Sequence, residues 1–337
     1  MGCSAADAYG ERKGKVMLSI RGLKKKYKKS HVLDGLDMDV PDGALYGFIG
    51  PNGAGKTTTI KIMVGLLRAD EGIITLGDRE IGKGDASWKE QIGYVPDFFG
   101  VYDNLRVSEY MEFFASCYGI EGLSARKRCG LLLDQVGLDE KRSAYVDGLS
   151  RGMKQRLCLA RALIHDPSFL ILDEPSSGLD PRTRFEFKEI LMELKDQGKT
   201  VFISSHVLSE LSEFCTDVGI IDRGKMVLSG NISDILTQVY VSNPLMISIY
   251  GGRTDRAVAL LKSHPYVKTI TIKGGDIAVR FSGDDEDETV LLQQLVDADI
   301  PVRSFSRERG SLESLFMEIT GEEEERTVMK FENESDL

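Results

Sequence analysis

The stretch Gly50-Pro51-Asn52-Gly53-Ala54-Gly55-Lys56-Thr57 constrains this chain more than any other, because it satisfies the P-loop pattern G-x-x-x-x-G-K-[ST] at every fixed position. Its glycines let the backbone take φ > 0 and approach a polyphosphate, so that successive N–H groups point inward. Lys56 is then placed to reach the β and γ phosphates, and the Thr57 hydroxyl to ligate Mg²⁺, with Thr58 completing the nucleotide-binding set. The flanks have the required character. Ala44 to Ile49 reads as a buried strand, and Ile60, Met63, Val64 and Leu67 recur at helical spacing behind the loop. The loop therefore aims a helix N-terminus, worth about half a positive charge, at the phosphates.

At 337 residues the chain exceeds the size at which a single core stops growing, so two domains are expected. Hydrophobic residues at 42% and charged residues at 28% form an ordinary globular mix rather than a disordered one. The net charge of -10 offers no broad attraction to nucleic acid or anionic lipid, so no nucleic-acid partner is expected. Five cysteines without a C-x-x-C pair read as free thiols in a reducing cytosol. No apolar run approaches the roughly 18 residues that cross a bilayer. The start Met1-Gly2-Cys3-Ser4 carries Ala6 where a myristoylation signal needs Ser or Thr. A cytoplasmic chain is expected, with any membrane role supplied by a partner.

After a polar leader (1–15), Val16 to Ile20 alternates as a strand, and Lys24 to Lys29 reads as a solvated strand edge. Tyr27, a ring upstream of the P-loop, is a candidate to stack on adenine. Residues 72–76 and 92–95 read as strands. The region 97–164 reads as a helical insertion, with one helix carrying Val107, Tyr110, Met111, Phe114 and Tyr118 and another carrying Cys129, Leu132, Leu133 and Val136. Phe169 to Leu172 is a continuous apolar run, as in a strand covered on both faces. Asp180-Pro181 starts a helix with an N-cap and a proline at its first position, and 200–204 and 218–221 add strands. This alternation predicts an α/β fold of the P-loop NTPase kind with a mostly parallel sheet over 16–230. A linker (231–243) precedes a small α+β domain over 244–320, whose strand-helix-strand-strand-helix-strand order matches the split βαβ, ferredoxin-like pattern. Its acidic run Asp284 to Glu288 reads as a solvated helix start, and an acidic tail (321–337) closes the chain.

Asp173-Glu174, closing the apolar strand, is a Walker B pair. In a P-loop fold that strand is expected to lie beside the P-loop strand, so that Asp173 holds Mg²⁺ opposite Thr57 and Glu174 faces the γ-phosphate. A carboxylate of pKa about 4.3 cannot strip bulk water of pKa about 15.7 beforehand, so Glu174 must orient the nucleophile and accept its proton late. Leu149-Ser-Arg-Gly-Met-Lys-Gln-Arg156 then resembles the signature motif of the ATP-binding cassette (ABC) superfamily. The order P-loop, signature, Walker B, D-loop (Ser177-Gly-Leu-Asp180) and Ser204-Ser-His206 covers residues 16–230 without a gap.

The resemblance implies a head-to-tail dimer, of two copies or with a second cassette ATPase, that sandwiches two ATP molecules. Each ATP would meet the P-loop of one chain and Ser150 and Gly152 of the other, with Asp180 tying the two sites together and His206 touching the γ-phosphate. It further implies ATP hydrolysis driving transport by a separate integral membrane permease, which would hold the chain at the cytoplasmic face. Phe98, Phe99 and Tyr102 are candidates to line that partner's docking pocket. Two positions depart from the family's pattern. Asp97 stands where a metal-sensing glutamine is usual; it can bind Mg²⁺ by charge but cannot donate an amide hydrogen bond. Arg151 and Met153 replace the usual glycine and glutamine of the signature, as in drug- and polysaccharide-exporter ATPases, whose ending Leu312 to Gly321 also resembles. The competing expectations are a soluble cassette ATPase that remodels an assembly without transport, and a regulator that binds ATP without turnover.

Overall fold

A computed structural model describes residues 15–307 except 29, 84–85, 98–99, 101, 103, 237–243 and 253. The leader to residue 14, Phe98 and Phe99, most of the expected linker, the helix expected over 311–319 and the acidic tail lie outside the described residues. The chain divides after Ile232 into two compact units.

In chain order the first unit runs β1 (Val16–Tyr27), β2 (Ser30–Pro41), β3 (Leu45–Ile49), α1 (Lys56–Met63), β4 (Glu71–Leu76), β5 (Arg79–Glu80) and β6 (Ile92–Val95). It continues α2 (Val107–Cys117), α3 (Gly122–Gln135), α4 (Arg151–Ala162), β7 (Phe169–Leu172), α5 (Pro181–Asp196), β8 (Thr200–Ser205), α6 (Leu208–Ser212), β9 (Asp217–Asp222) and β10 (Lys225–Asn231). Six strands form one sheet in the order β10-β9-β3-β8-β7-β6, parallel throughout except for β10. Every residue of β3, β7 and β8 is buried, as expected of strands covered on both faces. An antiparallel sheet of order β2-β1-β4-β5 shares a core with it, in which Leu18 and Ile20 of β1 meet Phe48, Ile60 and Phe202. The helices α2, α3 and α4 fill the interval between β6 and β7.

Four findings differ from the sequence expectations. First, β7 does not lie beside β3, because β8 separates them and pairs in parallel with both. Second, the lysine run begins inside the sheet and ends at its edge: β1 pairs with β4 only as far as Lys24, Lys25 to Tyr27 pair with β2 alone, and Lys24 and Lys25 are bridged at 2.7 Å to Glu71 and Asp70. Third, helical spacing continues to Leu67, yet α1 stops at Met63. Gly65 takes φ +73 and backs onto Trp88, where a Cβ would lie 2.6 Å from Cη2. Fourth, β2 was not expected. Leu36, Met38 and Val40 alternate inward, but Gly35 at φ +80 puts them out of phase with the equally buried Leu33.

The second unit runs β11 (Leu245–Ile249), α7 (Asp255–Ser263), β12 (Val267–Lys273), β13 (Asp276–Phe281), α8 (Asp285–Asp297) and β14 (Val302–Arg307). Its sheet has the order β12-β13-β11-β14 with every neighbouring pair antiparallel, the arrangement a split βαβ order produces. Leu261 of α7 and Leu291 and Leu295 of α8 pack on Ile277 and Val279. Asp284 and Asp287 cap α8 reciprocally at 2.9 and 3.1 Å, so the acidic run complements the helix dipole.

Candidate nucleotide site

The parallel strands point their C-terminal ends to one edge of the sheet, where the loops after β3, β7 and β8 converge. After β3 the chain turns through the P-loop. Gly50 backs onto β9 so closely that a Cβ would lie 2.2 Å from the Ile221 carbonyl oxygen, so no larger residue fits. Gly53 and Gly55 take φ +84 and +114, and α1 begins at Gly55 without a side-chain cap, leaving its first-turn N–H groups for an anion. Lys56 is only 6% exposed, and Nζ donates to the carbonyls of Gly50 at 2.7 Å and Pro51 at 3.3 Å.

β7 runs directly into Asp173 and Glu174. Asp173 is fully enclosed; its Oδ1 accepts from Ser204 Oγ at 2.7 Å and from Thr57 Oγ1 at 3.4 Å. Burial pushes its carboxyl above the ordinary range, although the two hydroxyls oppose the shift. A buried carboxylate with only hydroxyl partners, beside a threonine oxygen, is an oxygen donor set that fits a hard divalent cation. Glu174 sits at φ +49, a left-handed turn costing a non-glycine residue about 1–2 kcal/mol. The turn is held from both sides, since its N–H donates to Ser204 Oγ at 2.9 Å and its carbonyl accepts from Ser177 N–H at 3.1 Å. The Glu174 carboxylate then lies 3.4 Å from Lys56 Nζ and 2.8 Å from His206 Nδ1. Because a carboxylate only accepts, Nδ1 carries the proton of that contact and Nε2 is left toward the open site.

The resulting cleft, of about 370 Å³, is lined by Pro51, Asn52, Gly53, Gly55, Lys56, Thr57 and Thr58 of the P-loop with Asp97, Glu174, Ser177 and His206. Gly50 and Ala54 support the loop from behind. Of the other residues expected at the site, Ser150, Gly152, Asp180 and Tyr27 do not line this cleft. Ser150 caps α4, accepting from Met153 N–H at 3.3 Å, which leaves its own hydroxyl proton free to donate. Gly152 is buried against Thr183, and Asp180 caps α5 through Thr183 N–H at 3.0 Å and Thr183 Oγ1 at 2.6 Å. These bonds hold the Asp180 carboxyl below its ordinary range. Tyr27 is 47% exposed at the end of β1, with Lys25 Nζ 5.9 Å from its ring centroid.

Three contributors were given no role from the sequence: Ser204, Ser177 and Val32. Ser204 ties both acidic residues; its signal was a serine inside an otherwise apolar, wholly buried strand. Val32 reaches the cleft from β2, for which no local signal exists.

Comparison with known proteins agrees with this geometry. Residues 33–177 match the ABC transporter family, and residues 231–320 match the C-terminal domain of DrrA1-3-like ATP-binding proteins. The chain is 33% identical over 307 residues to a linearmycin resistance ATP-binding protein of Bacillus subtilis, covering 90% of this chain and 98% of that one. It is 31% identical over 301 residues to a daunorubicin/doxorubicin resistance ATP-binding protein of Streptomyces peucetius, with 89% and 91% covered. It is also 31% identical over 307 residues to a Nod factor export ATP-binding protein of Ralstonia nicotianae, with 91% and 94% covered. Among solved structures, an ATP-binding subunit of an ABC transporter superposes with a TM-score of 0.59 at 30% identity, over 66% of this chain and 92% of that one. A dimeric cassette bound to ADP and phosphate shares the fold, with a TM-score of 0.59 at 23% identity over 64% and 99% of the two chains.

Proposed function

The chain belongs to the ATP-binding proteins of the ABC transporter family and is an ATPase, and from that premise we propose that it drives export as one half of a head-to-tail ATPase dimer docked on a membrane permease. The observation that carries the dimer is the incomplete cleft: one chain supplies the P-loop, Glu174 and His206, while Ser150 and Gly152 lie outside it. A second copy would bring Ser150, with a free hydroxyl proton at a helix start, to the exposed side of the γ-phosphate.

In this reading Lys56 exchanges its loop carbonyls for the β and γ phosphates. Glu174, held by Ser204 and Ser177, receives the proton of the attacking water, and His206 orients that carboxylate. Mg²⁺ would be held by Thr57 and Asp173, with Asp97 at the rim as a further oxygen donor, and would supply charge neutralisation between the phosphates. Tyr27 would offer its exposed ring to adenine. Asp180, at the start of α5, would meet the partner across the interface.

No helix among the described residues is long and apolar enough to cross a membrane, which is consistent with attachment through a permease at the cytoplasmic face. A groove of about 320 Å³ beside α2 and α4, lined by Trp88, Tyr94, Phe114, Tyr118 and Arg161, would seat the permease, and Tyr102 packs nearby on Phe113 and Phe114. The deciding experiment is Glu174→Gln. With ATP the variant should run as a dimer by light scattering, while phosphate release falls at least about 100-fold. A monomer with ATP present, or unchanged turnover, would remove the reading.

A further inference from the structure

The arginine that replaces glycine in the signature turn has a structural place of its own. Arg151 is the first residue of α4, next to Ser150. The D-loop approaches from the other side in two successive turns, in which Ser177 N–H bonds Glu174 O at 3.1 Å and Leu179 N–H bonds Ser176 O at 3.2 Å. Within the second turn Gly178 takes φ +67, and the Arg151 guanidinium lies against it. A Cβ on Gly178 would sit 2.7 Å from Nη1, 2.8 Å from Cζ and 3.3 Å from Nε. Three atoms of the planar group at such similar distances mean that its flat face covers the glycine. Among the described residues this guanidinium enters no hydrogen bond or ion pair, so packing alone holds it there. A second contact lies one residue on, where a Cβ on Gly152 would be 2.2 Å from Thr183 Cγ2, and Thr183 is tied twice to Asp180.

We propose that Arg151 is a positioning residue that locks the D-loop to the signature turn of the same chain, so that the two move as one body. The inference rests on the two-copy reading above: the signature turn serves the partner's nucleotide, and the D-loop is continuous with Glu174 in the chain's own site. Drawing Ser150 onto the partner's γ-phosphate then shifts Gly178 and sets Glu174, through Ser177, for hydrolysis. A glycine at 151 could not do this, and a lysine has no flat face with which to cover Gly178.

The test uses the full chain with Arg151→Ala and Arg151→Lys. Arg151 is exposed, so neither change disturbs the core. In nucleotide-free protein, amide exchange over 174–180 should quicken about tenfold in both variants while that of the P-loop stays unchanged. With ATP and Mg²⁺, kcat should fall about tenfold in both, with KM within about twofold of the parent. Unchanged exchange would overturn the proposal, as would faster exchange with unaltered kcat. So would a raised KM in Arg151→Ala that lysine restores, because the arginine would then act on phosphate by charge. Failure of the two-copy reading is scored separately, by whether Glu174→Gln dimerises, and the exchange arm needs no dimer.

Discussion

Ser204 Oγ donates a 2.7 Å hydrogen bond to Asp173 Oδ1, from a strand that stands between the P-loop strand and the one ending in Asp173. The same oxygen accepts the N–H of Glu174 at 2.9 Å. One hydroxyl thus orients a metal-ligand candidate and holds the left-handed turn that aims Glu174, the proposed proton acceptor.

Ser204→Ala should therefore cost more than a surface serine. Removing the hydroxyl strips a buried carboxylate and a buried N–H of a partner together, for about 1–3 kcal/mol by urea denaturation. The loosened Glu174 turn should also lower kcat by about ten- to a hundredfold with little change in KM for ATP. Unaltered kcat would show that Glu174 is held in place without Ser204.

Asp173 gives a pH dependence of definite sign. Burial raises its folded pKa above the ordinary 3.8, so between those two values the folded chain binds more protons than the unfolded one. The stability this one carboxyl contributes is then fully present below 3.8, is lost as pH rises through its folded value, and stays lost at neutral pH. Asp173→Asn should raise the melting temperature of nucleotide-free protein by a few degrees at pH 7. The same change should abolish the added stabilisation by ATP with Mg²⁺. A lower melting temperature at pH 7 would contradict the burial argument.

Gly152 and Thr183 should be energetically coupled. Gly152→Ala drives a methyl group into Thr183 Cγ2 and should cost about 1–3 kcal/mol, although alanine is the better helix former. Thr183→Ser removes that methyl and keeps the hydroxyl that Asp180 accepts from. The double variant should regain most of the loss, read as the coupling term of a double-mutant cycle. Additive effects would mean the two side chains relax apart.

In the second unit, Glu288 at the start of α8 pairs with Arg307 at the end of β14, and the arginine side chain is only 4% exposed. Glu288→Gln turns a charge-assisted hydrogen bond to a nearly buried guanidinium into a neutral one and should cost about 1 kcal/mol, measured as faster amide exchange in β13 and β14. Exchange equal to that of the parent would place the stability of this unit in Leu261, Leu291 and Leu295 instead.

Much of this was legible because the informative features are local. The P-loop is eight contiguous residues whose glycines, lysine and threonine each have one physical task, so residue order alone predicts a phosphate cradle. The buried strands β7 and β8 are continuous apolar runs, and Asp180-Pro181 is a complete helix start in two residues. Where a signal was broken, the reading failed with it. Gly35 shifts the phase of β2 and hid a 12-residue strand, and the charge of the lysine run gave no sign that Lys24 still pairs with β4 or that Glu71 and Asp70 bridge to it.

By itself, then, the order of residues determined the chemistry on offer: a phosphate loop, two acidic residues at a strand end, a histidine after another, and a serine at a helix start. Only the folded chain decided who touches whom. Periodicity records which face of a strand is buried, but the order of strands in a sheet is set by packing between segments far apart in sequence. That is why β8 could come between β3 and β7 unannounced, carrying Ser204 to both acids, and why Arg151 lies across Gly178, a contact that no pattern within either segment encodes.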